Sequence, residues 1–135
     1  MIYNGKNEAP NIVNQGVIAN KVAIIGNKFI LVYDAGPSKS FAEEFIEELR
    51  NYSSKPIKYL VISHRHFDHA YGIEAYIKRK SIIFMDKTEF FYFKKEGPQI
   101  NKLLINNLGF KKNNINFENF DIKIPIHNLD PRKWH

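Results

Sequence analysis

The stretch Ile57–Ile77, which reads IKYLVISHRHFDHAYGIEAYI, decides the fold of this chain. Its first part, residues 57–63, is rich in apolar, β-branched and aromatic side chains, a pattern that predicts a buried strand. Residues 70–77 then have the composition of a helix start. The polar residues in between therefore lie where a strand leaves a sheet and a helix begins. In α/β proteins that edge is a preferred place for ligands.

The polar residues at this edge have the chemistry of metal ligands. In extended chain, His64 and His66 point to the same side and can reach one ion together. Asp68 and His69 follow the bend and approach from a second direction. Imidazole suits zinc, and the added carboxylate leaves room for zinc, manganese or iron. The four donors predict two neighbouring ions, one on His64 and His66 and the other on Asp68 and His69; the alternative is a solvated polar loop.

The motif and its surroundings resemble a known family. The pattern His-x-His-x-Asp-His after an apolar strand is similar to the signature of the metallo-β-lactamase superfamily. Upstream, LVYDAGPS at 31–38 resembles the family's strand that ends in Asp-(Thr/Ala)-Gly, and NKVAIIG at 20–26 resembles the strand before it. Among subfamilies, the GxIAN…DxGxS pattern most resembles the quinoprotein-relay, sulfur-oxidation-type zinc metallohydrolases. The resemblance covers residues 12–109.

The resemblance implies a fold and a function. The fold is an α/β (α+β) αββα sandwich of two similar halves with the metal site between them, and this chain resembles the first half, a mixed β-sheet with helices on one side. The activity would be zinc-dependent hydrolysis of a small-molecule ester, thioester, lactam or phosphodiester by a metal-bound hydroxide. Asp68 would be the catalytic residue that orients this hydroxide. Asp34 would support the motif loop through hydrogen bonds.

The family's later ligands have no clear counterpart. A third histidine is expected in a Gly-His-(Thr/Ser)-x-Gly-Asp context, followed by a bridging aspartate and a final histidine, and none of these contexts occurs. His127 is the candidate for the third histidine. Three alternatives follow: the chain is a truncated reading frame, it is completed by a second copy or another chain, or it is a metal-binding half-domain without activity of its own.

The chain is predicted to be a single, truncated domain over residues 1–135. Residues 1–11 are predicted to be a loose lead-in, residues 12–109 form the family-like region, and residues 110–135 carry little pattern beyond a strand at 120–126. The other predicted elements are two short strands between 12 and 25, a turn at 26–27, strands at 28–33 and 81–85, and helices at 38–51, 73–80, 87–96 and 99–108.

Three sequence features of the helices carry specific predictions. Ser40 with Glu43 three residues later predicts a capping box at the start of the first helix. The pair Gly97-Pro98 predicts a break between the last two helices. The aromatic group Phe90–Phe93 is predicted to be core, with the wall of a substrate pocket as the alternative.

The amino-acid composition limits which other kinds of protein and site are possible. The 135 residues include no cysteine, which excludes disulfides and thiolate ligands. The sequence has no apolar run of about 18 residues and no visible signal peptide, so we expect no membrane span and a cytoplasmic location by default. The net charge of +6 is scattered along the chain, so a nucleic-acid binding or processing protein is only a further alternative. Steep salt dependence of RNA binding would revive it.

Overall fold

The computed structural model describes residues 1–5, 7–16, 20–118 and 120–123. This part of the chain forms one mixed five-stranded sheet with helices in its connections. The strands are β1 (Ile2–Tyr3), β2 (Lys21–Ile25), β3 (Ile30–Tyr33), β4 (Ile57–Ile62) and β5 (Ile82–Met85). The helices are α1 (Lys39–Leu49), α2 (Phe67–Ala70), α3 (Glu74–Ile77) and α4 (Lys87–Leu108). None of the helices in this part of the chain has the length and apolar character needed to cross a membrane.

The sheet has the strand order β1-β2-β3-β4-β5. Its first three strands pair antiparallel, whereas β3, β4 and β5 are parallel to one another. Parallel neighbours need crossover connections, and here α1 links β3 to β4 while α2 and α3 link β4 to β5. The predicted mixed α+β sheet is therefore confirmed.

One face of the sheet forms the core. Alternate residues of the three parallel strands are buried there, because side chains two apart share a face: Ile30, Val32, Leu60, Ile62, Ile83 and Met85. Helix α1 covers them with Phe41, Phe45, Ile46 and Leu49, the stripe that its sequence predicts. The opposite face is also apolar but half open, with Ile24 59% and Tyr33 43% exposed.

The N-terminal segment is more ordered than its polar composition predicts. Ile2 and Tyr3 pair with Val22 and Lys21 at the edge of the sheet. The Tyr3 ring also meets the Phe41 ring edge-on, with 5.1 Å between the ring centroids. Residues 12–16 form turns rather than the first of two predicted strands. The edge strand forms because the Tyr3 side chain gains an aromatic partner in the core.

The N-cap of helix α1 lies two residues before the predicted cap. Ser38, not Ser40, is the N-cap, and its hydroxyl accepts a hydrogen bond from the Phe41 backbone N–H at 3.1 Å. The predicted capping box is thus wrong. Glu43 instead accepts two hydrogen bonds from the guanidinium of Arg79, at 3.0 and 2.6 Å. That ion pair joins α1 to the residues that follow α3.

The predicted break at Gly97-Pro98 is also wrong, because α4 runs through Pro98 without interruption. Gly97 is buried, and a Cβ added there would lie 2.2 Å from Cε1 of Phe117. Phe93 and Leu104, on either side of the proline, are buried as well. Packing on both sides thus outweighs the hydrogen bond that proline removes. Asp86 caps the helix by accepting from the Thr88 and Glu89 amides.

The strand predicted at 120–126 is described only in part. Lys123 forms an isolated parallel bridge with Phe84, and its backbone N–H donates to the Ile83 carbonyl at 2.6 Å. Residues 124–126 lie outside the described residues. In the aromatic group of α4, Phe93 is buried in the core, as predicted, whereas Phe91 is 55% exposed.

Two buried tyrosines of the core provide a matched test of hydrogen bonding. The Tyr76 hydroxyl is buried and, among the described residues, has no hydrogen-bond partner. The Tyr71 hydroxyl donates to the Gly97 carbonyl at 3.4 Å.

We expect Tyr76→Phe to leave the free energy of unfolding unchanged or raise it by about 1 kcal/mol, since it removes an unsatisfied group. Tyr71→Phe should lower it by about 0.5–1 kcal/mol. Urea unfolding of both variants checks the difference, and a loss for Tyr76→Phe as large as that for Tyr71→Phe would contradict it.

Candidate functional site

The site forms where two parallel strands end. Strands β3 and β4 pair in parallel, so their carboxyl ends meet at the same edge of the sheet. Asp34 is the first residue after β3, and Ser63 is the first after β4. His64 and His66 follow in the loop, and the short helix α2 carries Asp68 and His69. The edge predicted from the sequence is therefore where the motif lies.

The structure brings the four predicted ligands together. The ring centroid of His64 lies 4.6 Å from that of His66 and 4.1 Å from that of His69. Nε2 of His69 is 3.4 Å from a carboxylate oxygen of Asp68. His66 is exposed and the other three are half-buried. Three imidazoles and a carboxylate are thus within reach of one another and of solvent.

The donors are clustered but are not arranged as a finished metal site. Within residues 1–5, 7–16, 20–118 and 120–123, no group of three or more His, Asp or Glu side chains has the geometry to hold a metal ion. The chemistry of the four donors nevertheless suits zinc. Ligation by these four residues stays a prediction. His127, the candidate third histidine, lies outside the described residues.

Asp34 forms hydrogen bonds that hold the motif loop and one histidine of the cluster. One of its carboxylate oxygens accepts from the Ser63 backbone N–H at 2.7 Å. The other accepts from the Ser63 hydroxyl at 2.9 Å and lies 2.7 Å from Nδ1 of His69. The carboxylate is only 3% exposed. A buried carboxylate with these three contacts fixes the position of the loop and of one imidazole.

These contacts assign the tautomers of two histidines. A carboxylate accepts only, so Nδ1 of His69 carries the proton that is donated to Asp34. The Ser63 hydroxyl gives its proton to Asp34 and therefore accepts at its 2.8 Å contact with Nδ1 of His64. In its neutral form each ring then has its proton on Nδ1 and a free Nε2, the form that a metal requires.

The backbone at Asp34 is strained, and its neighbours hold it in place. Asp34 has a φ of 68°, in the left-handed region that few residues other than glycine adopt. Its N–H donates to the Val61 carbonyl, and the Ala35 N–H donates to the His69 carbonyl, both at 2.7 Å. The Gly72 N–H donates to the Gly36 carbonyl at 2.8 Å. The segment after β3 is therefore bound to β4 and to the C-terminal end of α2, and strain of this kind is found at functional sites.

Burial and neighbouring charges favour the neutral imidazole of His64. Burial lowers the pKa of His64, and the neighbouring His69 and His66 lower that pKa further. Asp34 and Asp68 oppose this effect without reversing it. Neutral imidazole is the metal-binding form, so His64 keeps it to a lower pH than a free histidine.

A buried lysine lies near the site. Lys21 on β2 is 1% exposed, and its ammonium donates to the Asn20 carbonyl at 3.3 Å. Burial lowers the pKa of Lys21 to about 8, while the charges of Asp34 and Asp68 raise it. A cation at this depth helps to balance the two carboxylates.

Several site residues were not predicted from the sequence. The sequence pattern indicates Ser63 only as the end of a strand, whereas the parallel pairing of β3 with β4 places it beside Asp34. Arg65, between the first two histidines, forms ion pairs with Glu89 and Glu96 of α4. No sequence signal links these residues, because the contacts depend on where α4 packs.

Comparison with known proteins identifies the relatives of this chain. The sequence profile of the Metallo-beta-lactamase superfamily matches residues 11–128. The linear primary-alkylsulfatase of Pseudomonas sp. (strain ATCC 19151) is 32% identical over 53 residues, which are 39% of this chain and 10% of the alkylsulfatase.

Solved structures show the same fold. The metallo-β-lactamase FIM-1 from Pseudomonas aeruginosa, in its mono-zinc form, superposes with a TM-score of 0.54 and 19% identity. The metallo-β-lactamase from Erythrobacter litoralis, with β-mercaptoethanol in its active site, gives 0.54 and 17%. Each match covers 58% of this chain and 34% of the other chain. The match therefore spans about a third of the length of these lactamases.

Proposed function

The chain belongs to the metallo-β-lactamase superfamily, and from that premise we propose that its motif loop binds zinc and supports metal-dependent hydrolysis of a small molecule. His64 and His66 would hold one ion, and Asp68 and His69 a second. The observation that carries this proposal is the hydrogen-bond network of Asp34 and Ser63. It holds His64 and His69 in the tautomers that leave Nε2 free for a cation.

The residues of the motif loop and of its hydrogen-bond network would have different roles in the proposed hydrolysis. Zinc, when bound, polarises the bond to be cleaved and makes hydroxide available near neutral pH. Asp68, half-buried beside His69, would orient this hydroxide in addition to holding the second ion. Asp34 and Ser63 keep the imidazoles turned in one direction, and the strained backbone at Asp34 fixes that arrangement before substrate arrives. Esters, thioesters, lactams and phosphodiesters fit this chemistry as substrates. The similarity to an alkylsulfatase makes alkyl sulfates a further candidate.

A second candidate is a metal-binding unit without turnover of its own. One observation favours it. Among the described residues, no three donors already converge on a metal position. In that case a second copy or another chain would be needed to complete the site.

One experiment separates the two candidates. The full chain is freed of metal with a chelator and titrated with zinc by calorimetry, and hydrolysis of a chromogenic ester, a chromogenic lactam and an alkyl sulfate is then followed. We expect about two zinc ions per chain and turnover that requires them, as the paired donors imply. Less than one zinc per chain without turnover supports the second candidate. Turnover that survives chelation contradicts both.

A further inference from the structure

We infer that the cleft between the motif loop and helix α4 binds the non-reacting part of the substrate and selects an apolar group that carries no negative charge. This inference rests on the proposed function, because it takes the motif loop as the place where the reacting bond lies. The cleft has a volume of 370 Å³, within the range of small-molecule sites.

The cleft is continuous with the motif. His66 and Asp68 line it as well as belonging to the histidine cluster. The opposite wall is α4, which presents Tyr92, Glu96 and Ile100. These three residues are four apart, so they share one face of the helix. A molecule whose reacting bond lies at the motif loop would therefore place its neighbouring group against this helical face.

The wall is suited to an aromatic or branched aliphatic group. Tyr92 and Ile100 are half-buried, so part of each side chain is open to a ligand. The Tyr92 ring is held in position by the Arg65 guanidinium, which lies 4.9 Å from its centroid. A fixed aromatic side chain offers a large contact area at low entropic cost.

The charges of the cleft act against an anionic group. Arg65 is the cation at the cleft, and it is already paired with two carboxylates of α4. Its Nη1 is 2.6 Å from Glu89, and its Nε is 3.4 Å from Glu96. The Glu96 side chain is 41% exposed and lines the cleft. Among the described residues that line the cleft, Asp68 and Glu96 are acidic and Arg65 is already paired, so a ligand anion would meet Glu96 without gaining an unpaired guanidinium.

Three probes that share one ring test this selection: benzylammonium, benzyl alcohol and benzoate. Each is titrated into the metal-free full chain, since zinc would bind an amine or a carboxylate directly. Dissociation constants come from protein amide shifts in NMR spectra. We expect benzylammonium to bind about 5-fold more tightly than benzoate, the effect of one partly exposed charge, with benzyl alcohol in between. Shifts should centre on α4 near Tyr92 and Ile100.

Two variants and a control locate the effect. Glu96→Gln, at a half-exposed position, should reduce the preference for benzylammonium over benzoate to less than about 2-fold. Ile100→Trp should weaken all three probes by filling the cleft. Glu47→Gln, on the exposed side of α1, is the matched control and should change nothing.

The outcomes distinguish this inference from the proposed function. Benzoate binding as tightly as benzylammonium, or shifts that centre away from α4, would overturn the cleft assignment even if zinc binds. Probe binding as expected in a chain that takes up no zinc would leave the cleft assignment standing and overturn the proposed hydrolysis.

Discussion

Gly72→Ala is expected to lower the free energy of unfolding by about 3 kcal/mol, or about 100-fold in the folded-to-unfolded ratio. A Cβ at this position would lie 2.1 Å from the Ala35 carbonyl oxygen and 2.9 Å from that of Ser38. Both neighbours are backbone atoms, which cannot turn aside as a side chain can. The Gly72 N–H also donates to the Gly36 carbonyl, so the whole segment after β3 would have to move.

Urea unfolding measures this loss, and a second glycine provides the control. In Gly26→Ala the new Cβ would be 3.1 Å from the Phe29 carbonyl oxygen, a contact that a small shift relieves. We expect that variant to lose no more than about 1 kcal/mol. Equal losses at the two positions would show that the close approach of Gly72 to the segment after β3 is not what holds the loop.

Asp34→Asn is expected to weaken zinc binding by about 10-fold to 100-fold, the effect usual for the partner of a ligating histidine. Asparagine tolerates the left-handed backbone of this position, so the main chain can stay in place. Its amide, however, would donate to Nδ1 of His69. That moves the ring proton to Nε2, where it blocks ligation.

Calorimetric zinc titration gives the affinity, and nitrogen NMR shifts of the His69 ring in the metal-free chain report the tautomer. We expect the protonated nitrogen to change from Nδ1 to Nε2 in the variant. Asp121→Asn, an exposed aspartate away from the motif, is the matched control and should bind zinc like the unaltered chain. A weakened affinity with an unchanged tautomer would show that Asp34 acts only by holding the fold.

The elements that the sequence predicted well are those whose signal is local. Side-chain periodicity within a few residues predicts strand β4 and the apolar stripe of α1. The pair Gly26-Asn27 predicts the turn before β3. The errors arose where distant packing decided the outcome or where the sequence pattern left two neighbouring residues equally suitable. Helix α4 continues through Pro98 because Phe117 packs against Gly97, and Ser38 replaces Ser40 as the cap, a choice between two serines that the sequence pattern leaves open.

The sequence by itself determined the motif and its place at the end of a strand, because donor type and spacing are properties of a short segment. Only the tertiary structure decided how those donors are held. Asp34 meets Ser63 and His69 because β3 and β4 pair in parallel, and Arg65 meets Glu89 and Glu96 because α4 packs beside the loop. Such contacts join residues far apart in the chain, and their geometry exists only once the sheet and the helix are in place.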